Sequence, residues 1–211
     1  MKKKRIYISL IAILISCMVI PTASNAQIIR NGYVNVDWQL NLPVGESFAD
    51  QISGWGAQID GGYYVANGFS VGLFASFHTN NKYIGKMTIP LSETAFITSD
   101  QQHSIFHIPF GGSFRYTFLR ENRGIFEPYI GAKLGADYSE VSTIMNIFKT
   151  YDREWGFYTS PEIGFTLYTS PAKVFGFHMA AYYNYSTNKS EVLSYSLDGL
   201  SNIGFRFGIS F

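Results

Sequence analysis

Ser201-Asn-Ile-Gly-Phe-Arg-Phe-Gly-Ile-Ser-Phe211 alternates apolar and polar residues without a slip and stops on an aromatic ring. Side chains on a strand point to opposite faces in turn, so Ile203, Phe205, Phe207, Ile209 and Phe211 share one face. Asn202, Gly204, Arg206, Gly208 and Ser210 share the other. A strand with one wholly apolar face needs an apolar medium beside it. What that medium is depends on the rest of the chain.

The opposite end carries an export signature. Lys2, Lys3, Lys4 and Arg5 precede an apolar run over 6–20, Pro21 ends that run, and Ser24-Asn25-Ala26 supplies small residues at a cleavage position. This pattern predicts a signal peptide over 1–26, cut before Gln27, with residues 27–211 as the mature domain. The run is too short for the roughly 20 apolar residues of a spanning helix. Leu14-Ile15-Ser16-Cys17 also resembles a lipobox, but Met18, Val19 and Ile20 continue the apolar core where a lipoprotein turns polar.

Removal of 1–26 takes away the sole cysteine, so no disulfide or thiol chemistry is expected in the mature chain. Twelve Lys and Arg then face fifteen Asp and Glu, a balance that argues against nucleic acid as a partner. No apolar stretch long enough for a membrane helix follows the signal. A chain that spans lipid without such a helix has the closed barrel as its remaining option, because every backbone polar group must find a partner.

The same two-residue period recurs seven more times. Apolar faces run over Val34–Leu42, Trp55–Val65, Phe69–Phe77, Phe106–Phe118, Phe126–Tyr138, Phe157–Leu167 and Phe175–Tyr185, and none of their positions is charged. The opposite faces hold Asp37, Asp60, Arg115, Glu127, Lys133, Asp137, Glu162 and Arg206. A cation facing lipid at the membrane midplane costs about 2–4 kcal/mol, which explains so clean a separation. A water-soluble ligand-binding barrel also alternates, but its outer face carries many more Lys and Glu. The expected fold is therefore all-β: an eight-stranded antiparallel up-and-down transmembrane barrel with the charged face inside.

Connections alternate in length, as outer-membrane barrels require. Asn67-Gly68, 119–124 and 169–173 are short; 43–52, 79–102, 142–154 and 186–200 are longer and are expected outside the cell. Asn-Gly is a strong two-residue hairpin signal. Loop 79–102 is unusually apolar for a solvated loop, with Tyr83, Ile84, Met87, Ile89, Leu91, Phe96 and Ile97. Either its strands extend beyond the membrane as a hairpin, or part of it folds over the barrel mouth. Pro109 and Pro161 fall within strands and predict bulges or interrupted pairing.

Three features carry a resemblance: the signal segment, the strand Glu127-Pro-Tyr-Ile-Gly-Ala-Lys-Leu-Gly135, and the ending Phe205-Arg-Phe-Gly-Ile-Ser-Phe211. Together they resemble the small eight-stranded bacterial outer-membrane barrels such as OmpX, the OmpA barrel and OmpW, over the whole of 27–211. The resemblance implies residence in the outer membrane among lipid and lipopolysaccharide, and delivery by periplasmic chaperones. It also implies that the barrel-assembly machinery reads Phe207, Ile209 and Phe211.

For chemistry, the five inward acids and three inward bases predict a salt-bridge and hydrogen-bond network filling a narrow lumen; the alternative is an ion or proton path. His78, His103, His107 and His178 are expected as polar lumen or loop residues, since no nucleophile motif or zinc-ligand spacing accompanies them. No cofactor is expected. The loops are the plausible functional surface. The reading is a non-enzymatic surface scaffold acting through four loops in adhesion or envelope integrity. A narrow channel of the OmpW kind is the alternative, and a lipid A-modifying enzyme the third reading.

Overall fold

A computed structural model describes residues 31–45, 47–90, 94, 96–120, 124–146, 148–192 and 195–211. The expected signal segment and its cleavage site lie outside the described residues, as does Leu91. Eight strands follow in chain order: β1 (Gly32–Pro43), β2 (Gly56–Ala66), β3 (Phe69–Pro90), β4 (Phe96–Thr117), β5 (Phe126–Met145), β6 (Phe148–Tyr168), β7 (Gly176–Val192) and β8 (Tyr195–Ser210). Each pairs antiparallel with the next, and β8 closes on β1 to complete a barrel. Closure leaves no strand edge inside the membrane, where an unpaired N–H or C=O has no water to bond.

The register sets the barrel's dimensions. Partners traced from Asn41 run through Gly204, Tyr182, Glu162, Gly131, Arg115, Ser70 and Tyr64, next to the Tyr63–Gly32 pair. One circuit thus returns to β1 about ten residues from its start, and with ~3.3 Å per residue and ~4.8 Å between strands this gives a tilt of roughly 40°. Eight strands at that tilt enclose only enough room for side chains.

Outward side chains change character partway up the wall. On β4 the outward series Tyr116, Phe114, Ile108 and Phe106 gives way to Ser104, Gln102 and Asp100. On β5 Tyr138 is followed by Glu140, on β6 Trp155 is preceded by Arg153, and on β7 Tyr185 is followed by Thr187 and Lys189. The inward face inverts at the same level: Asp137 and His107 lie below, while Ile105, Val141, Val192, Leu197 and Leu200 form a buried apolar cluster above. The membrane band therefore ends where outside turns polar and inside turns apolar. Below that edge lipid is the apolar phase; above it, the lumen is.

Three of the four expected long loops are mainly strand. β3 and β4 are each 22 residues long, β5 is 20 and β6 is 21, whereas a tilted strand needs only about 9–11 to span the membrane. Hairpin 79–102 is thus the first of its two expected forms, strands that project outward. The apolar residues that looked odd for a loop are a strand pattern. β1 and β2 have 12 and 11 residues, so the wall is low on one side. Beyond Thr79, whose N–H donates to the Trp55 carbonyl, the described residues of β3 form strand pairs with β4 alone, and the free edge carries Lys82, Lys86, a register shift between Ile84 and Met87, and Pro90. Each of these disfavours edge-to-edge pairing.

Asn67-Gly68 is the two-residue connection expected, with Ala66 paired to Phe69 and Gly68 at φ 72°. Pro109 and Pro161 interrupt pairing without a bulge. Pairing of β3 with β4 lapses between Ala75–Phe110 and His78–His107, and that of β6 with β7 between Thr159–Tyr185 and Glu162–Tyr182, with register unchanged. On its other edge each proline stays in register, Pro109 opposite Asp137 and Pro161 opposite Ala132. The missing N–H is therefore confined to one edge of each strand.

Candidate functional site

The lumen is occupied in tiers. At the periplasmic end Glu127, buried at the start of β5, accepts a hydrogen bond from Lys173 Nζ at 2.6 Å. Lys173 sits in the 169–175 turn and also donates to the Arg120 carbonyl at 3.2 Å.

The middle tier holds most of the charge. Arg115 on β4 reaches Asp60 on β2 at 3.3 Å, and its guanidinium lies between the rings of Tyr33 and Tyr129, 4.0 and 3.8 Å from their centroids. Glu162 on β6 bridges Lys133 on β5 and Arg206 on β8. Arg206 lies 3.8 Å over the Tyr182 ring and donates from Nε to Gln39 Oε1 at 3.3 Å. Tyr129 OH donates to Glu162 at 3.3 Å and meets His178 Nε2 at 2.8 Å; His178 Nδ1 lies 2.7 Å from Asp37. Three acids (Asp37, Asp60, Glu162) thus stand with three bases (Arg115, Lys133, Arg206), linked through Tyr129 and His178. Buried charge is tolerable only when paired, and each of these six groups has at least one oppositely charged or histidine partner, although Asp37 Oδ2, Arg115 Nε and Arg206 Nη2 make no hydrogen bond.

The tier above is built on histidine. His107 Nδ1 lies 2.6 Å from Asp137 Oδ2, and the His78 ring stacks on His107 at 4.5 Å. Asn188 ties three strands together by donating to Ser139 Oγ at 2.7 Å, the Asp137 carbonyl at 3.2 Å and the Glu154 carbonyl at 3.0 Å.

The mouth is closed by the connection between β1 and β2. Phe48 is fully buried, stacks on His103 at 4.1 Å and meets Tyr195 edge-on at 5.2 Å, within the apolar cluster of Ile105, Val141 and Leu197. Its carbonyl oxygen lies 2.9 Å from His103 Nδ1. Lys82 Nζ donates to the Ser47 carbonyl and to Asp50, both at 2.8 Å. Folding over the mouth was an alternative for 79–102; the segment that does so is 43–55.

Above the membrane band, contacts move several ionisations. The Lys82 hydrogen bond lowers the pKa of Asp50, and hydrogen bonds from Lys149 and then Arg153 lower that of Glu140. Burial lowers the pKa of His103; the bond to the Phe48 carbonyl opposes this and the Lys82 charge adds to it. The docked loop therefore prefers neutral His103. Its docking is strongest above the ordinary histidine pKa of about 6.5 and weakens as pH falls from there through the lower pKa of the docked state. Limited proteolysis of segment 43–55 should accelerate on acidification, and His103→Phe should flatten that dependence.

All eight charges expected inside are buried. Asp37, Asp60, Arg115, Lys133, Glu162 and Arg206 are brought together, while Glu127 and Asp137 sit apart at opposite ends. Phe207 and Ile209 lie on the outward face of β8, and Phe211, just past its end, exchanges backbone hydrogen bonds with Val34 and lies ring-to-ring with Phe175 at 5.6 Å. The four histidines are buried in the lumen or at its mouth, and Tyr33 points inward as its strand face predicts; sequence reasoning did not single out the inward Tyr129, Tyr158 and Tyr182. Strand parity could have found them: Tyr182 stands beside outward Tyr183, and Tyr129 lies two residues from Glu127. Among the described residues, no group of three His, Cys, Asp or Glu is arranged to hold a metal ion.

An up-and-down eight-stranded ring, an apolar outer band and a packed polar lumen agree with the family comparison, in which the Outer membrane protein beta-barrel domain matches residues 9–211. The chain belongs to this family. It resides in the bacterial outer membrane. No curated protein matches the chain. Among solved structures it is similar to Neisserial surface protein A, at 17% identity over 85% of this chain and 95% of that one, with a TM-score of 0.48. It is similar also to Ail of Yersinia pestis, solved with the heparin analogue sucrose octasulfate, at 15% identity over 86% and 97%, TM-score 0.42. A third is OprG of Pseudomonas aeruginosa, at 13% identity over 85% and 94%, TM-score 0.47.

Proposed function

We propose that this barrel is a non-enzymatic surface scaffold whose projecting hairpins engage an extracellular partner. The observation that carries the reading is the filled lumen: a balanced charge cluster at mid-membrane lies beneath an apolar core closed by Phe48. A solute would have to displace paired buried charges and then an apolar packing layer. Long paired strands in β3–β6 instead form a stiff wall above the membrane, with Tyr83, Phe96, Phe148 and Tyr151 exposed on it.

The partner's chemistry follows from that wall. Among the described residues above the band, Lys82, Lys86, Lys149, Arg153 and Lys189 stand against Asp50, Asp100, Glu140, Asp152, Glu154, Glu191 and Asp198. Such a balance favours a protein partner met by aromatic and mixed polar contacts over a polyanion. Export with removal of 1–26, and recognition of Phe207, Ile209 and Phe211 by the assembly machinery, belong to the same reading.

Planar-bilayer recording separates this function from a channel. The purified protein is expected to give no defined unitary steps. Steps abolished by changing Arg115 or Lys133 would favour the narrow channel. Replacing residues 86–98 with Asn-Gly should leave a folded, heat-modifiable barrel while bacterial attachment to host-cell surfaces falls. Lipid A mass spectra from cells with and without the protein are expected to be identical; a difference would favour the enzyme.

A further inference from the structure

Segment 43–55 has a second apolar face. Asn41 exchanges backbone hydrogen bonds with Ser53, each 2.8 Å, and both side chains are buried. Partners in an antiparallel pair point to the same side, so the neighbours Leu42, Ile52 and Gly54 face outward. Val44 N donates to the Ser201 carbonyl at 2.9 Å, which carries β1 one outward position higher. Trp38, itself outward, donates from Nε1 to the Gly54 carbonyl at 2.6 Å, and a Cβ on Gly54 would lie 2.8 Å from the Trp38 ring. The segment is thus fastened onto the outer wall as well as into the mouth.

Its outward residues are large and exposed: Val44 46%, Ile52 62% and Trp55 76%. Directly below them, Trp38, Leu42, Ile59 and Phe77 belong to the lipid-facing band, so the apolar surface is continuous with it. On neighbouring strands the outward face has turned polar, at Ser201 on β8 and Thr79 on β3. Among the described residues, the low side of the wall alone extends the lipid-facing apolar surface upward without a break, and it does so on the segment that fills the mouth.

We propose that segment 43–55 is a membrane-held clasp: Val44, Ile52 and Trp55 bind the outer-leaflet lipid surface, and that contact holds Phe48 and Ala49 in the lumen mouth. Tryptophan and aliphatic side chains favour the boundary between acyl chains and headgroups, so inserting this face stabilises the docked segment. Lys82, bonded to Ser47 and Asp50, anchors the other side. The lumen is then closed most firmly when the barrel is in lipid.

The expected mature chain has no cysteine, which makes single-site labelling direct. Ile52→Cys and Gln51→Cys variants, each carrying an environment-sensitive fluorophore, are reconstituted in phosphatidylcholine vesicles with a nitroxide near the acyl carbonyl. The probe at 52 should emit blue-shifted and lose most of its emission to the lipid-borne quencher; the probe at 51 should be quenched by aqueous iodide. Equal iodide quenching at both positions overturns the clasp. In the same vesicles, Ala49→Cys should react slowly with an impermeant maleimide, and severalfold faster when Val44→Ser and Ile52→Ser are added. An unchanged rate overturns the link between lipid contact and closure. Neither readout depends on any extracellular partner.

Discussion

Glu162→Gln should destabilise the barrel by about 3–5 kcal/mol, because it removes one partner from a buried ion cluster and leaves the others in place. Glu162 is the shared acceptor of Lys133 and Arg206, and Tyr129 also donates to it. Without its charge, two cations and Arg115 face Asp60 as the nearest remaining acid of the tier. Glutamine keeps the volume, so the loss is electrostatic and not a cavity. The measurement is the urea midpoint for refolded barrel, followed by heat-modifiable gel migration. Adding Lys133→Met should restore a substantial part of the loss, since the second change removes an uncompensated charge and offers an apolar side chain of similar length. Failure of the single variant to shift the midpoint would mean that water already screens the tier.

The second large effect lies on the other face of the same strand. Ile163 is outward, 64% exposed, and paired with Ile130 and Ala181 within the apolar band. Ile163→Arg should cost about 2–4 kcal/mol in lipid, the expected penalty for a cation near the midplane. Gln102→Arg, outward on β4 above the band, should leave stability within about 0.5 kcal/mol, as surface substitutions away from special features do. Unfolding of both variants in vesicles gives the comparison. The contrast between two outward arginines isolates the lipid, because side-chain type and strand orientation are held constant.

Much of the architecture was legible because lipid enforces a rule on every second residue. That rule makes Ile203–Phe211 readable as a strand, and it places Asp60, Arg115 and Glu162 indoors from the sequence alone. The same rule fails above the membrane, where water replaces lipid outside and the inner face becomes the apolar one. Strand residues such as Gln102, Arg153 and Thr187 then look like loop residues, so 79–102, 142–154 and 186–200 read as connections. Phe48 was illegible for another reason. It lies in an irregular segment whose target, His103 with Ile105 and Val141, is assembled from strands distant in sequence. The pairing of His178 with Asp37, separated by 141 positions, is likewise a product of closure rather than of local pattern.

Function is less legible than fold because the lumen and the wall serve different ends. The charges that stand out in sequence are engaged with one another, and the surface available to partners is made of ordinary strand residues such as Tyr83 and Tyr151. A filled lumen shifts attention to the projecting hairpins, and the 43–55 clasp ties closure of the mouth to the bilayer itself.

The central claim is that the uncharged flank of each strand touches lipid and the polar flank lines a sealed interior. A nitroxide scan along β4 in phosphatidylcholine vesicles tests it most directly. Labels at 106, 108, 110, 114 and 116 should collide with oxygen far more than with a water-soluble nickel complex. The preference should reverse at 104 and 102, and labels at 113 and 117 should be shielded from both. Even-numbered sites that are shielded or wet, with odd-numbered sites opening onto a solvent-filled cavity, would contradict the account.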